Sequence, residues 1–87
     1  DGMTTSLAAE VAETGVLVNS VAPGFIDTEL TREVLGENGM REMAAKVPVR
    51  RMGNPEEVAR LVLWLASNEN TFVSAQNIAI DGGFTRV

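Results

Sequence analysis

Residues 19–30, Asn-Ser-Val-Ala-Pro-Gly-Phe-Ile-Asp-Thr-Glu-Leu, constrain the fold more than any other stretch. An apolar strand runs into Pro23-Gly24, where ladder pairing loses an N–H and cannot continue. Thr28 then stands just ahead of a helical pattern. A strand, a Pro-Gly break and a helix start describe a loop at the carboxyl end of a strand. In open parallel α/β sheets that is where small ligands are held, and a glycine there lets backbone atoms approach them closely.

The flanking segments fit such a sheet. Residues 2–14 place Met3, Leu7, Ala8, Val11 and Ala12 at helical spacing, with Glu10 and Glu13 off the stripe and Gly15 as a stop. Residues 16–22 follow as a nearly continuous apolar run, the pattern of a strand buried on both faces. Asn19 and Ser20 interrupt that run, so their polar atoms need partners. Asn19 is expected either to bond neighbouring backbone and stiffen the turn or to touch a ligand directly.

Residues 28–48 read as a lid-like insertion of two short helices. Leu30, Val34 and Leu35 form one apolar patch, Gly36-Glu37-Asn38-Gly39 breaks it, and Met40, Met43, Ala44 and Val47 form a second before Pro48. Methionine adapts to irregular apolar surfaces, which suits a substrate-facing flap, although the same residues could dock the hairpin on the domain.

Asn54-Pro55-Glu56-Glu57 announces a helix: an N-cap, a proline where no N–H is needed, and a carboxylate at the capping-box position. Over residues 55–67 the stripe of Val58, Leu61, Val62 and Leu65 is widened by Ala59, Leu63, Trp64 and Ala66. A helix apolar on nearly all sides is covered on nearly all sides. An 87-residue chain lacks the protein to do this, so the second face is expected to meet another subunit or a further part of the same protein. Residues 76–81 close the pattern as a strand around Ile78 and Ile80. Strand, crossover, capped helix and strand make a parallel βαβ unit, right-handed by the usual rule.

Composition narrows the chemistry. The chain has no His and no Cys, so it lacks the commonest neutral base, the commonest metal ligands and any disulfide. A formal charge of −5 argues against binding the phosphate backbone of nucleic acid, so no nucleic-acid partner is expected. Neither a membrane span nor a signal peptide is legible, which leaves a cytoplasmic location as the expectation. The chain opens on Asp1 with no initiator Met, so an upstream portion is expected.

These motifs, taken in order, resemble the C-terminal part of a short-chain dehydrogenase/reductase, closest to the 3-oxoacyl-(acyl-carrier-protein) reductase type. Val18-Asn19 with Pro23-Gly24, the run Arg51-Met52-Gly53-Asn54-Pro55-Glu56-Glu57-Val58-Ala59, and Asp81-Gly82-Gly83 carry the resemblance across almost the whole chain. It implies the C-terminal portion of a Rossmann-type doubly wound parallel sheet, residues 1–87 forming a single partial domain, the C-terminal part of a domain whose cofactor is NAD or NADP. By resemblance, Pro23 and Gly24 lie against the nicotinamide, Ile26 offers backbone N–H and C=O to its carboxamide, and Thr28 bonds the carboxamide or pyrophosphate. Each has a structural alternative: ending the strand, packing, or capping the next helix. Leu30, Val34, Met40 and Met43 fall in the substrate lid.

The resemblance further implies hydride transfer to or from a small-molecule carbonyl or alcohol. The family's glycine-rich phosphate loop, its catalytic Ser and its Tyr-x-x-x-Lys have no match here, and Asp1-Gly2 resembles the continuation just after the Lys. No catalytic residue is therefore assigned. The alternative is an inactive remnant that folds as a homo-oligomer through the second face of the 55–67 helix and a bare strand edge. Ala75 departs from the family's usual Gly before Gln76, so a local backbone difference is expected there.

Overall fold

A computed structural model describes residues 2–86. Asp1, compared above with the residue following a catalytic Lys, lies outside them. Helix α1 spans Gly2–Val11 and tightens into a single 3-10 turn at Ala12–Thr14. Gly15 ends it in the left-handed conformation, φ 82°, its N–H bonding the Ala12 carbonyl. Strand β1 is Ser20–Pro23, helix α2 Glu29–Lys46, helix α3 Pro55–Ala66 and strand β2 Asn77–Ile80. A last 3-10 turn covers Phe84–Arg86.

The two strands form one parallel sheet in the register Ser20 to Asn77 through Pro23 to Ile80. Parallel pairing joins strands separated by two helices, as the crossover pattern requires. Pro23 completes β1 rather than standing beyond it. It is the last paired residue, and the next N–H, that of Gly24, reaches the Ile80 carbonyl at 3.1 Å.

Two expectations about the first strand need correction. The first strand begins at Ser20, not residue 16, because residues 18 and 19 face side chains and loop backbone of the approach to β2. The Val18 N–H bonds Ser74 Oγ, and Asn19 Nδ2 bonds the Val73 carbonyl. It is also not buried on both faces: Ala22 and Pro23 are exposed, since two strands cannot cover each other. The lid segment does hold two helices, as expected. They meet at Gly36, whose φ of 68° and ψ of 175° are non-helical, so the break occupies one residue of the 36–39 stretch.

Packing is sparse. Ala8 and Val47 are the buried hydrophobic residues among those described. The Cα radius of gyration is 15.6 Å, against about 12 Å for a compact domain of this length. On α3, Val58, Leu61 and Leu65 are half-buried, whereas Leu63 is 69% exposed and Trp64 42%. Val62, expected on the inner stripe, is also on the open side.

Candidate functional site

The carboxyl ends of β1 and β2 are fused into one structural knot. A Cβ placed on Gly24 would stand 2.7 Å from Asp81 Cβ and 3.0 Å from its Cα, so the loop after β1 crosses the end of β2 with no room for a methyl group. Beyond β2, Gly82 turns at φ 62° beneath Val47 and Val49. Phe25 meets Phe84 edge to face at a 4.7 Å centroid distance. The Asp81 carboxylate closes the turn, accepting from the Gly83 N–H at 2.9 Å and the Thr85 N–H at 3.0 Å. The Thr85 hydroxyl, with these amides, holds the Asp81 carboxyl below its usual range.

The Phe25–Asp27 stretch is held from the α3 side. Ile26 pairs with Gly53 in a parallel bridge whose two bonds are Asp27 N–H to the Gly53 carbonyl, 2.8 Å, and Gly53 N–H to the Phe25 carbonyl, 2.9 Å. In parallel pairing, the residue between two such bonds turns its own N–H and C=O to the opposite side. Ile26 therefore presents one donor and one acceptor away from Gly53, and neither takes a hydrogen bond among the described residues.

Gly53 is itself fixed by the start of α3. Asn54 Oδ1 accepts from the Glu57 N–H, and Glu57 Oε1 accepts from the Asn54 N–H, both at 3.0 Å. Arg51 adds a fork to the same carboxylate, Nη1 to Oε1 at 2.7 Å and Nη2 to Oε2 at 2.9 Å. The fork, with the Asn54 amide, pulls the Glu57 carboxyl down to about 2. The sequence displayed the capping box; Arg51 as its outer clamp was not read, though it stands in the same run.

Thr28 is the N-cap of α2, its Oγ1 accepting from the Thr31 N–H at 3.1 Å and sharing a hydrogen bond with Thr31 Oγ1 at 2.8 Å. Its structural alternative is thus realised in this structure. Asn19 bonds backbone rather than standing open, but its partners are across the sheet: Asn19 Oδ1 accepts from the Gln76 N–H at 3.1 Å.

The four lid residues separate. Leu30 is 69% exposed and Val34 73%, while Met40 and Met43 are half-buried. Met40 lines an open cleft of about 710 Å³ between α2 and residues 50–52. At its rim, Arg32 grips Asp27 through Nε to Oδ1 at 2.7 Å and Nη2 to Oδ2 at 2.5 Å. This fork lowers the Asp27 carboxyl pKa and raises that of Arg32. Its five-residue spacing falls outside the helical pair rule, so sequence periodicity did not reveal it.

The sequence pattern of the enoyl-(acyl carrier protein) reductase family matches residues 1–85. The 3-oxoacyl-(acyl-carrier-protein) reductase FabG of Thermotoga maritima is 48% identical over 82 residues, 94% of this chain and 33% of that protein. This chain therefore spans about a third of the length of that relative. Among solved structures, a short chain dehydrogenase family protein from Francisella tularensis superposes with a TM-score of 0.91 at 32% identity, covering 99% of this chain and 40% of the other. YwfH, an NADPH-dependent reductase involved in bacilysin biosynthesis, gives 0.90 at 27% identity, covering 99% of this chain and 36% of its own.

Proposed function

The chain belongs to the short-chain dehydrogenase/reductase family of oxidoreductases, and from that footing we propose that it forms the nicotinamide-side wall and the substrate lid of an NAD(P)-dependent reductase acting on a carbonyl or alcohol. The observation that carries this reading is the outward pair of Ile26 backbone groups. A carboxamide needs one acceptor for its N–H and one donor for its carbonyl oxygen, and one residue held in a fixed pairing offers both. Pro23 and Gly24 bring the backbone to that position, and Thr28 follows two residues later with its hydroxyl at the helix start. When bound, the nicotinamide supplies the hydride.

Within this reading the chain's own residues bind and orient. Asp81, Gly82 and Phe84 brace the loop from behind, and the Gly53 bridge keeps it from collapsing onto α3. Proton transfer is assigned to no side chain of this loop: Asp27 is locked by Arg32, and Thr28 serves as a cap. The relatives named as reductases of acyl-carrier-protein substrates or as NADPH-dependent favour NADPH and a carbonyl substrate.

A second reading, association of identical chains, is favoured by the exposed Val62, Leu63 and Trp64 on α3 and by Phe72 at 96% exposure. The two combine if the cofactor wall works only within an oligomer. The test is a titration of the chain with NADPH and NADH followed by nicotinamide fluorescence, alongside light scattering for size. Saturable binding supports the cofactor wall; no binding at millimolar cofactor, whatever the size, overturns it.

A further inference from the structure

The cleft between α2 and residues 50–52 sets four arginines against two carboxylates, Asp27 and Glu37, although the chain carries a net charge of −5. Arg32, Arg41, Arg50 and Arg51 all line it, four of the chain's seven basic residues. Their charges are not equally available. Arg32 is committed to Asp27, with Glu37 adding a favourable charge nearby, and Arg51 is committed to Glu57. Arg41 and Arg50 touch only neutral acceptors: Arg41 Nη2 donates to Asn38 Oδ1 and Arg50 Nη1 to the Ala45 carbonyl, each at 3.1 Å.

Arg50 also stands at φ 65°, a backbone conformation that costs an L side chain and is held in place by its surroundings. Arg41 and Arg50 line one cleft and neither is paired with a carboxylate, which leaves both guanidiniums able to take an anion. Met40, Ala44 and Met52 give the same cleft an apolar lining. Asp27, next to Ile26 in the cofactor loop, forms its near rim.

We infer that this cleft receives an oxyanion, phosphate or carboxylate, carried at one end of an aliphatic substrate, with Arg41 and Arg50 as its anchors. Guanidinium groups suit this because their planar donors match both oxyanions, and the apolar lining takes the adjoining carbon chain. The inference rests on the reductase reading for calling that molecule the substrate, because the cleft adjoins the loop assigned to the nicotinamide.

The test is NMR of the arginine Nε–Hε groups of the 87-residue chain, titrated with inorganic phosphate and, separately, butyrate, at ionic strength fixed with sodium chloride. Saturable shifts at Arg41 and Arg50, with Arg60 and Arg86 still, support the site; the stronger probe tells phosphate from carboxylate. R41Q and R50G should each weaken binding by about fivefold or more, as loss of a charged donor does. R50G relieves the backbone strain but gives up the bond to the Ala45 carbonyl, so its melting temperature is measured alongside and should not fall. No saturable shift with either probe, equal shifts at all arginines, or unchanged affinity in R50G overturns the inference. The Ile26 amide in a parallel NADPH titration reads the reductase proposal separately: oxyanion binding with a silent Ile26 would keep the cleft and remove the reductase reading.

Discussion

Gly24 and Asp81 approach so closely that the smallest side chain at residue 24 would overlap the Cβ of Asp81 at 2.7 Å. The contact is between main-chain-anchored atoms, so no flexible side-chain end can yield. Gly24→Ala should therefore displace the loop from β2 and destabilise the chain by about 1–3 kcal/mol, the usual range for overpacking. Denaturant unfolding followed by circular dichroism measures it; an unchanged midpoint would show that the two strand ends are not tied. The glycine thus has a structural reason to be there, independent of any ligand.

Ala75 offers the opposite experiment. Its φ of 62° lies in the left-handed region, while its N–H is held by the Val18 carbonyl at 2.7 Å and cannot relax without losing that bond. Ala75→Gly should stabilise the chain by roughly 0.5–1 kcal/mol, raising the melting temperature by a few degrees. A lower melting temperature would contradict the strain.

Ala75 was legible as a departure from a motif; its φ of 62° is a conformation that suits glycine, and no backbone difference from relatives follows from it. The capped start of α3 was equally legible, because cap, proline and carboxylate act within four residues. The break in the lid was legible only to within residues 36–39, and the Arg32–Asp27 fork was not legible. Gly36 and Gly39 look alike in sequence, but Gly39 lies inside the second helix and only Gly36 leaves helical geometry. At Ile26 the sequence shows an apolar side chain, whereas the site depends on where its backbone groups point, which only the Gly53 pairing decides.

Asn54 anchors both the α3 start and, through Gly53, the Ile26 bridge. Asn54→Ala removes the acceptor of the Glu57 N–H and should cost about 1 kcal/mol. Helix content and melting temperature should fall together, and amide exchange at Asp27, whose N–H bonds Gly53, should accelerate. Unchanged exchange at Asp27 would mean that the bridge stands without the cap.

Acid should weaken the fold in a defined window. The Glu57 carboxyl is lowered from 4.5 to about 2 by Arg51 and the Asn54 amide. A carboxyl with a depressed folded-state pKa stabilises the fold above its unfolded value and loses that contribution as protons bind on the way down. Asp27 and Asp81, lowered from 3.8, act in the same sense. Stability should therefore be level above about pH 5 and decline from there toward pH 2. Glu57→Gln should flatten part of that decline, and an identical pH profile for this variant would contradict the role of the fork.

The central claim concerns the two backbone groups of Ile26. A 15N-labelled chain titrated with NADPH should show a saturable shift of the Ile26 amide, with Asp27 and Thr28 following and the residues of α1 unmoved. An Ile26 amide that stays in place at millimolar NADPH, while its exchange with solvent is unprotected, would contradict the assignment of this loop to the nicotinamide.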